Sequence, residues 1–518
     1  MFIDARQLPN DSTIDTEVCI VGAGAAGITL AREFIGQGFR VCLLESGGLD
    51  PNAETQALYK GTSTGLRIGL TEERQRSFGG TSNLWSGYCR PLDEEDFEER
   101  DWVPNSGWTF GRRQLEPYYK RAHALCHLGP LDYEIESWNK QQFCPLPLNR
   151  GNLTTKLFQL VPTEPDDRRR FGRVYRKEIE RASNITTLLF ANVTRIDLAD
   201  NGRSVSQVHV STLAGNGFFV SAKFFVLATG AIENARLLLL PNNIQAEGTG
   251  NQNDRVGRFF MGHIEMTAAF FLPSAQCKMQ LFQGECELGR AGWSGETVPI
   301  LSLSSETLKR EKLLNFTMEL STAPDSEVPA SAVPASAVPD SDVPDSDVPD
   351  RGLLSYLREV FSTNTEAVSP VFRLESAFET APNPDSRITL SGQRDRFNNP
   401  LVSVGWQLTP LDSYSLRRTY EVLGHELGRA GLGRLKVLSV DDIIERGDFW
   451  SQHHHIGTTR MHYDPKQGVV DKNCRVHEIA NLFLAGSSVF PTSGSATPTL
   501  TILALAMRLA DRIKDSVG

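Results

Sequence analysis

The sequence lacks the features of several large classes of protein. No apolar run among its 518 residues approaches the roughly 18–20 needed to cross a bilayer. The first residues, MFIDARQLPNDS, contain no basic stretch followed by an apolar one, so they do not resemble a secretory signal. The eight cysteines include no CxxC pair, which argues against a disulfide framework or a zinc site. The expectation is a cytoplasmic protein without a membrane span.

The charge balance is also informative. Acidic residues outnumber basic ones, 63 to 53, for a net charge of −10, whereas nucleic-acid binding requires a basic surface. At 40% hydrophobic and 22% charged residues, the composition is that of an ordinary globular protein. The length suffices for two domains or one large composite. We therefore expect no nucleic-acid partner.

Residues 325–349 are five copies of a pentapeptide, DSEVP, ASAVP, ASAVP, DSDVP and DSDVP. This acidic, proline-paced segment has too few apolar side chains to offset the entropy of ordering. It is predicted to be a disordered or polyproline-like insertion at the surface.

The first chemical motif lies in residues 16–48, TEVCIVGAGAAGITLAREFIGQGFRVCLLESGG. A buried strand, a helix and a second strand are predicted, with GxGxxG (Gly22–Gly27) at the first turn and Glu45 after the second strand. This spacing is typical of dinucleotide binding, in which glycines let the backbone approach a pyrophosphate and the acid accepts bonds from a ribose.

Three later segments have similar turns. FGGTSNLWSGYCRPL (78–92) is a second glycine-rich loop, and FFVLATGAIENARLLLL (224–240) predicts a strand that turns into a helix. Near the end, PTSGSATPTLTI (491–502) predicts a helix start, with Thr497 at the N-cap and Pro498 at the first helical position. The helix that follows is apolar nearly all round and should be buried.

Together these motifs resemble the glucose–methanol–choline (GMC) family of flavin oxidoreductases, and within it the branch of pyranose oxidases and bacterial sugar dehydrogenases. The resemblance rests on 21–27 with Glu45, 78–87, 227–239 and 454–511, in the family's order. It implies an α/β fold: a Rossmann-like FAD-binding domain with an inserted α+β substrate domain built on an antiparallel sheet. The implied boundaries are 1–100, 185–260 and 450–518 for the FAD-binding domain, and 101–184 and 261–449 for the substrate domain.

The resemblance also implies which residues contact FAD. The final helix would point its N-terminus at the pyrimidine edge of the flavin, where reduced flavin carries negative charge. The implied cofactor contacts are Gly22, Ala23, Gly24, Ala26, Gly27, Glu45, Ser46, Gly79, Gly80, Thr81, Asn83, Val193, Ala228, Thr229, Gly230, Gly486, Ser487, Thr497 and Pro498. Some pyranose-oxidising relatives link FAD to a histidine, but the matching residue here is Leu84, so non-covalent FAD is predicted.

The implied catalytic base is a histidine of the HxxGT motif. Counting back from Gly457 gives His454, which His453 and His455 flank. A neutral imidazole suits proton abstraction because its ordinary pKa lies near working pH. Three adjacent histidines cannot all face one metal ion, so no metal site is predicted. His263, in VGRFFMGHIE, is more simply structural, and Arg387 could pair with a carboxylate such as Glu379.

The second catalytic position of the family, an asparagine or histidine, is Thr497 here. A hydroxyl can hold a substrate oxygen but cannot act as a base. Either Thr497 is a cap and flavin neighbour while His454 alone handles the proton, or the redox reaction is altered.

The leading hypothesis is FAD-dependent oxidation of an alcohol on a sugar, sugar derivative or polyol. His454 would take the hydroxyl proton while a hydride passes to flavin N5. Whether oxygen or another acceptor reoxidises the flavin is left open. One alternative is a lyase-type, non-redox use of the fold with structural FAD. Another is a flavoprotein subunit that binds a partner through residues 325–349.

Overall fold

The computed structural model describes residues 1–138, 152–164, 166–274, 295–323 and 371–517, and the pentapeptide segment lies outside these ranges. The strands are β1 (Phe2–Asp4), β2 (Thr13–Val21), β3 (Val41–Leu44), β4 (Gly61–Gly65), β5 (Tyr88–Cys89), β6 (Leu153–Leu160), β7 (Ile185–Leu189), β8 (Asn192–Leu198), β9 (Val205–Ser211), β10 (Gly217–Leu227), β11 (His263–Pro273), β12 (Thr297–Leu303), β13 (Phe316–Thr322), β14 (Phe372–Glu379), β15 (Arg387–Arg394), β16 (Pro400–Trp406), β17 (Gly433–Val437) and β18 (Leu482–Leu484).

The α-helices are α1 (Ala25–Glu33), α2 (Ala53–Gln56), α3 (Glu94–Phe97), α4 (Glu116–Leu125), α5 (Phe171–Val174), α6 (Arg176–Arg181), α7 (Ala231–Leu239), α8 (Ser305–Glu311), α9 (Pro410–Arg429), α10 (Val440–Arg446) and α11 (Thr499–Val517).

An eight-stranded sheet contains the predicted nucleotide motif. Its order is β1-β7-β3-β2-β10-β9-β8, and β18 pairs with the far end of β10. β1, β7, β3, β2, β10 and β18 run parallel to one another. β9 is antiparallel to both of its neighbours, β10 and β8. The parallel strands β3 and β18 are buried throughout, as expected of strands covered on both faces. The carboxyl ends of β2, β3, β10 and β18 consequently meet at one edge.

A seven-stranded sheet of order β17-β11-β14-β13-β12-β6-β5 stands beside that edge, and all its pairings are antiparallel. Register fixes which side chains share a face, because successive residues point to opposite faces. His263 lies opposite Glu379, and Glu375 lies opposite Glu319. These four side chains share one face of the sheet, while Phe316 and Phe378 pack on the other.

The final helix α11 packs against α1 and α4 and is buried along most of its length. It begins at Thr499, and its first intrahelical bond runs from the Ile502 amide to the Pro498 carbonyl oxygen. The helix therefore begins one position later than predicted. Pro498 precedes it, and Thr497 is not its N-cap. The Thr497 hydroxyl donates instead to the Tyr88 carbonyl oxygen at 2.6 Å.

The expectation of a mixed α/β fold is confirmed. The domain boundaries stay predictions. Among the described residues, no helix is both long and apolar enough to span a bilayer. The five cysteines in those ranges are buried free thiols: Cys19, Cys42, Cys89, Cys126 and Cys474.

Candidate active site

A cavity of about 470 Å³ opens where the carboxyl ends of β2, β3 and β10 meet. Ligands bind at this position in open α/β sheets, and the volume is in the range usual for ligand sites. Sixteen of the predicted site residues line it: Gly22, Gly24, Ala26, Glu45, Ser46, Gly80, Thr81, Val193, Ala228, Thr229, Gly230, His454, Gly486, Ser487, Thr497 and Pro498.

The other four predicted contacts, Ala23, Gly27, Gly79 and Asn83, lie next to the cavity wall and make contacts that hold its loops in place. Ala23 donates its amide to Glu45 at 3.0 Å and accepts a bond from the Gly79 amide at 2.8 Å. A Cβ on Gly27 would lie 1.9 Å from the Gly22 carbonyl oxygen, so this glycine permits close packing of α1 on the loop. Asn83 donates its side-chain amide to the Phe78 carbonyl oxygen at 3.0 Å. None of these four residues lines the cavity.

The walls fit an extended dinucleotide. A Cβ built on Gly24, Gly230 or Gly486 would meet no protein atom within 4 Å, so a ligand can approach these backbones. No side chain caps α1 at Gly24, which leaves the helix N-terminus open to an anionic group. The Glu45 carboxylate accepts bonds from the Ala23 and Gly47 amides at 3.0 and 2.8 Å, and it has lone pairs to spare for a ribose.

Sequence reasoning missed a cationic part of the wall. Arg74 and Arg76 stack on Tyr59, 3.9 and 4.3 Å from its centroid, and both pair with Glu233, at 3.1 and 3.0 Å. The Arg-x-Arg pattern just before Gly79 is a usable signal. Glu233 could not have been assigned as the partner, because it is 159 residues from Arg74.

Two of the adjacent histidines have fixed partners. His454 Nδ1 lies 2.7 Å from His263 Nδ1, and the rings are nearly perpendicular, at 89°. His455 Nε2 lies 2.9 Å from a Glu73 carboxylate oxygen, and its ring stacks on Phe260. Both histidines line the cavity.

The partners of His263 determine the proton positions on His454. His263 Nε2 lies 2.8 Å from the Gly494 carbonyl oxygen, which can only accept, so Nε2 carries the proton. In the neutral ring His263 Nδ1 is then an acceptor, and His454 must donate from Nδ1. His454 Nε2 is left with its lone pair, as a general base requires.

The electrostatic environment keeps this base neutral. Burial, reinforced by the nearby imidazoles of His263, His455 and His453, lowers the pKa of His454 well below its usual range. Burial also lowers the pKa of His263, which the Gly494 carbonyl and Glu379 partly offset. Two neutral imidazoles are consistent with the single proton shared between them.

One expected ion pair is wrong. Arg387 pairs with Asp254 at 2.8 Å rather than with Glu379. Glu379 pairs instead with Arg100 at 2.7 Å, and both side chains are buried. Arg387 begins β15, in a different sheet from Glu379, so its side chain lies closer to the loop that holds Asp254.

Comparison with known proteins agrees with the sequence motifs. The family model for GMC oxidoreductase matches residues 382–506. The fructose dehydrogenase large subunit of Gluconobacter japonicus is 22% identical over 97% of this chain and 98% of its own. Paromamine 6′-oxidase of Streptomyces fradiae is 24% identical over 96% of this chain and 91% of its own.

Solved structures show the same fold. Pyridoxine 4-oxidase from Mesorbium loti superposes with a TM-score of 0.55 at 17% identity, over 96% of this chain and 98% of its own. Formate oxidase of Aspergillus oryzae gives 0.56 at 17% identity, over 98% and 99%. The structural likeness shows a mixed α/β fold, and the family-model match with the curated relatives gives the class of this protein as an oxidoreductase. Residues 382–506 match the GMC oxidoreductase family model, and the whole chain is similar to the sugar-oxidising relatives named above.

Replacing Gly24 tests the cavity as a nucleotide site. Gly24→Val places a side chain where no protein atom lies within 4 Å, at an ordinary backbone φ of −79°, so the chain should still fold. The valine would occupy ligand space, and we expect purified protein to lose most of its visible flavin absorbance with an unchanged circular dichroism spectrum. Gly38→Val, at another open glycine on the exposed surface, is the control. Full flavin content in Gly24→Val would refute the assignment.

Proposed function

We propose that the protein holds FAD non-covalently in this cavity and oxidises an alcohol group of a sugar, sugar derivative or polyol to a carbonyl. The Rossmann-like strands would bind the cofactor, and the antiparallel sheet of the inserted domain would cover the substrate. The observation that carries the proposal is the His263–His454 contact, which leaves an unprotonated imidazole nitrogen on a residue of the cavity wall.

In the proposed reaction, His454 accepts the hydroxyl proton at Nε2. FAD, when bound, supplies the acceptor for the hydride that leaves the carbinol carbon. The resulting imidazolium keeps its Nδ1–H bond to His263, so proton uptake requires no rearrangement of the pair. The open glycine backbones, Glu45 and the start of α11 would hold the cofactor.

Thr497 has a supporting part in this proposal. Its hydroxyl proton is engaged by the Tyr88 carbonyl oxygen, so the hydroxyl can accept a bond from a ligand but has no proton to donate. This favours the reading in which His454 handles the proton alone. The oxidases and the dehydrogenase among the relatives favour redox chemistry over the lyase alternative. A partner-binding role for residues 325–349 stays a prediction.

Three glutamates behind the cavity wall favour an amine-bearing sugar within the proposed class. They do not line the cavity, but they lie near enough to Tyr88 of its wall to help burial raise the pKa of that phenol. Glu265, Glu319 and Glu375 lie on the same face of the antiparallel sheet as His263, and Gln452 of the cavity wall donates to Glu265 at 2.5 Å. Like charges on directly opposed strand positions, such as Glu319 and Glu375, are unfavourable without a counter-charge. Arg373 pairs with Glu375 at 2.5 Å, and a substrate ammonium would compensate the others.

The test is anaerobic mixing of the holoenzyme with neutral sugars, amino sugars, polyols and simple alcohols, followed by flavin absorbance. We expect bleaching by one class, fastest for amine-bearing sugars. No bleaching across the panel would contradict alcohol oxidation. Equal rates for a neutral sugar and its amino counterpart would remove only the amine preference. Colour that stays with the acid-precipitated protein would contradict non-covalent FAD.

Variants of the two catalytic candidates should separate their roles. His454→Ala removes the base, and we expect alcohol-driven flavin reduction to fall by at least about 10²-fold, the usual contribution of a general base. Thr497→Ala should slow reduction without abolishing it. His425→Gln, at an exposed histidine of α9, is the control. Equal reduction rates for wild type and His454→Ala would refute the assignment of the base.

The lowered pKa of His454 predicts the pH dependence of flavin reduction. Only the neutral ring accepts a proton, so the rate should be constant above about pH 6.5, the ordinary histidine pKa. It should fall only at lower pH, as His454 becomes protonated. A rate that is half-maximal at or above about pH 6.5 would contradict this environment for the base.

A further inference from the structure

We propose that the buried ion pair of Arg100 and Glu379 is the positioning unit of the base, acting through the Gly494 peptide and His263. The proposal rests on the function proposed above, because it assigns how His454 acquires its reactive form. Neither residue lies on the cavity wall, and neither was among the predicted site residues.

The ion pair is buried, and both carboxylate oxygens of Glu379 are fully bonded. Arg100 and Glu379 are only 6% and 2% exposed. The guanidinium donates to both carboxylate oxygens, from Nη1 to Oε2 at 2.9 Å and from Nη2 to Oε1 at 2.7 Å. The backbone N–H of Asn315 donates to Oε2 at 3.0 Å, and the backbone N–H of Gly494 donates to Oε1 at 3.3 Å. Four donors match the roughly four lone-pair sites of a carboxylate, so the orientation of Glu379 is fixed.

The Gly494 peptide transmits this orientation. Its amide is bonded to Glu379, and its carbonyl oxygen accepts from His263 Nε2 at 2.8 Å. The residue has a φ of +63°, and a Cβ on it would lie 2.8 Å from an Asp96 carboxylate oxygen. The positive φ therefore favours glycine, and the Asp96 side chain packs closely against this residue.

Arg100 keeps Glu379 an acceptor at both oxygens. A buried carboxyl without a cation tends to take up a proton. A protonated Glu379 would direct an O–H toward one of its present donors, and the Gly494 amide would lose its partner or turn. The carbonyl would turn with it, and the reason for placing the His263 proton on Nε2 would disappear. The ion pair thus stabilises the tautomer of His263 with its proton on Nε2. The two groups are connected by two hydrogen bonds through the Gly494 peptide.

This position is consistent with the register of the sheet. Glu379 on β14 lies directly opposite His263 on β11, so the carboxylate and the imidazole it indirectly orients are neighbours on one face. Glu379 also lies near enough to raise the pKa of His263 against the effect of burial.

Nitrogen-15 NMR of the holoenzyme labelled in its histidine rings tests the proposal directly. Signals would be assigned with His454→Gln and His263→Gln. Wild type should show a proton on Nδ1 of His454 and on Nε2 of His263. Glu379→Gln replaces one carboxylate oxygen by an NH₂ group, which cannot accept the hydrogen bond that this oxygen receives in wild type. Arg100→Lys keeps the positive charge but cannot donate to both carboxylate oxygens as the guanidinium does. In both variants we expect the single tautomer of His454 to give way to a mixture.

The same variants should slow anaerobic flavin reduction by about 10- to 100-fold, the cost of a misplaced catalytic group. Flavin content and reduction by dithionite should be unchanged. Glu426→Gln, at a buried glutamate of α9 paired with Arg429, is the control and should leave both readouts unchanged.

An unchanged His454 tautomer in either folded variant would overturn the proposal, even if the enzyme oxidises alcohols. A tautomer that responds to Glu379→Gln in a protein whose flavin no alcohol reduces would support the positioning unit and contradict the proposed function. Arg100→Lys provides the second test if Glu379→Gln does not fold.

Discussion

A hydrogen bond between two imidazole nitrogens, His263 Nδ1 and His454 Nδ1, is the constraint on which the site depends. Two nitrogens at 2.7 Å share one proton, so one ring must donate and the other accept. The carbonyl at the far side of His263 decides which. The nitrogen of His454 that remains free is then basic without any carboxylate in direct contact with that ring among the described residues.

The fold brings these groups together from one strand and two loops. His263 is the first residue of β11, the second strand from one edge of the antiparallel sheet. His454 lies in the segment between α10 and β18, and Gly494 lies in the loop before the final helix. That loop is glycine- and serine-rich because its backbone is closely confined, as the Asp96 contact at Gly494 shows. The helix that begins at Thr499 is buried against α1 and α4, which anchors the loop.

Local patterns predicted much of this arrangement. Spacing indicated the strand–helix–strand unit around Gly22–Gly27 and Glu45, because these signals lie within a few dozen residues. The resemblance to the family's HxxGT motif implied His454 as the base candidate. The contact of His263 with His454 spans 191 residues, and that of Arg100 with Glu379 spans 279. Such pairs are created by strand register and packing, which local patterns do not show, so the expected pairing of Arg387 with Glu379 was wrong. The error at Thr497 was smaller, since a hydroxyl before proline can cap a helix or bond elsewhere.

The most direct measurement is the stoichiometry of a single anaerobic turnover. The holoenzyme would be mixed with the alcohol that bleaches its flavin, and the carbonyl product would be counted against the flavin reduced. The account predicts one carbonyl per reduced flavin in wild type, and neither product nor reduced flavin on the same timescale in His454→Ala. Flavin reduction without carbonyl product, or equal product from His454→Ala, would contradict alcohol oxidation by this base.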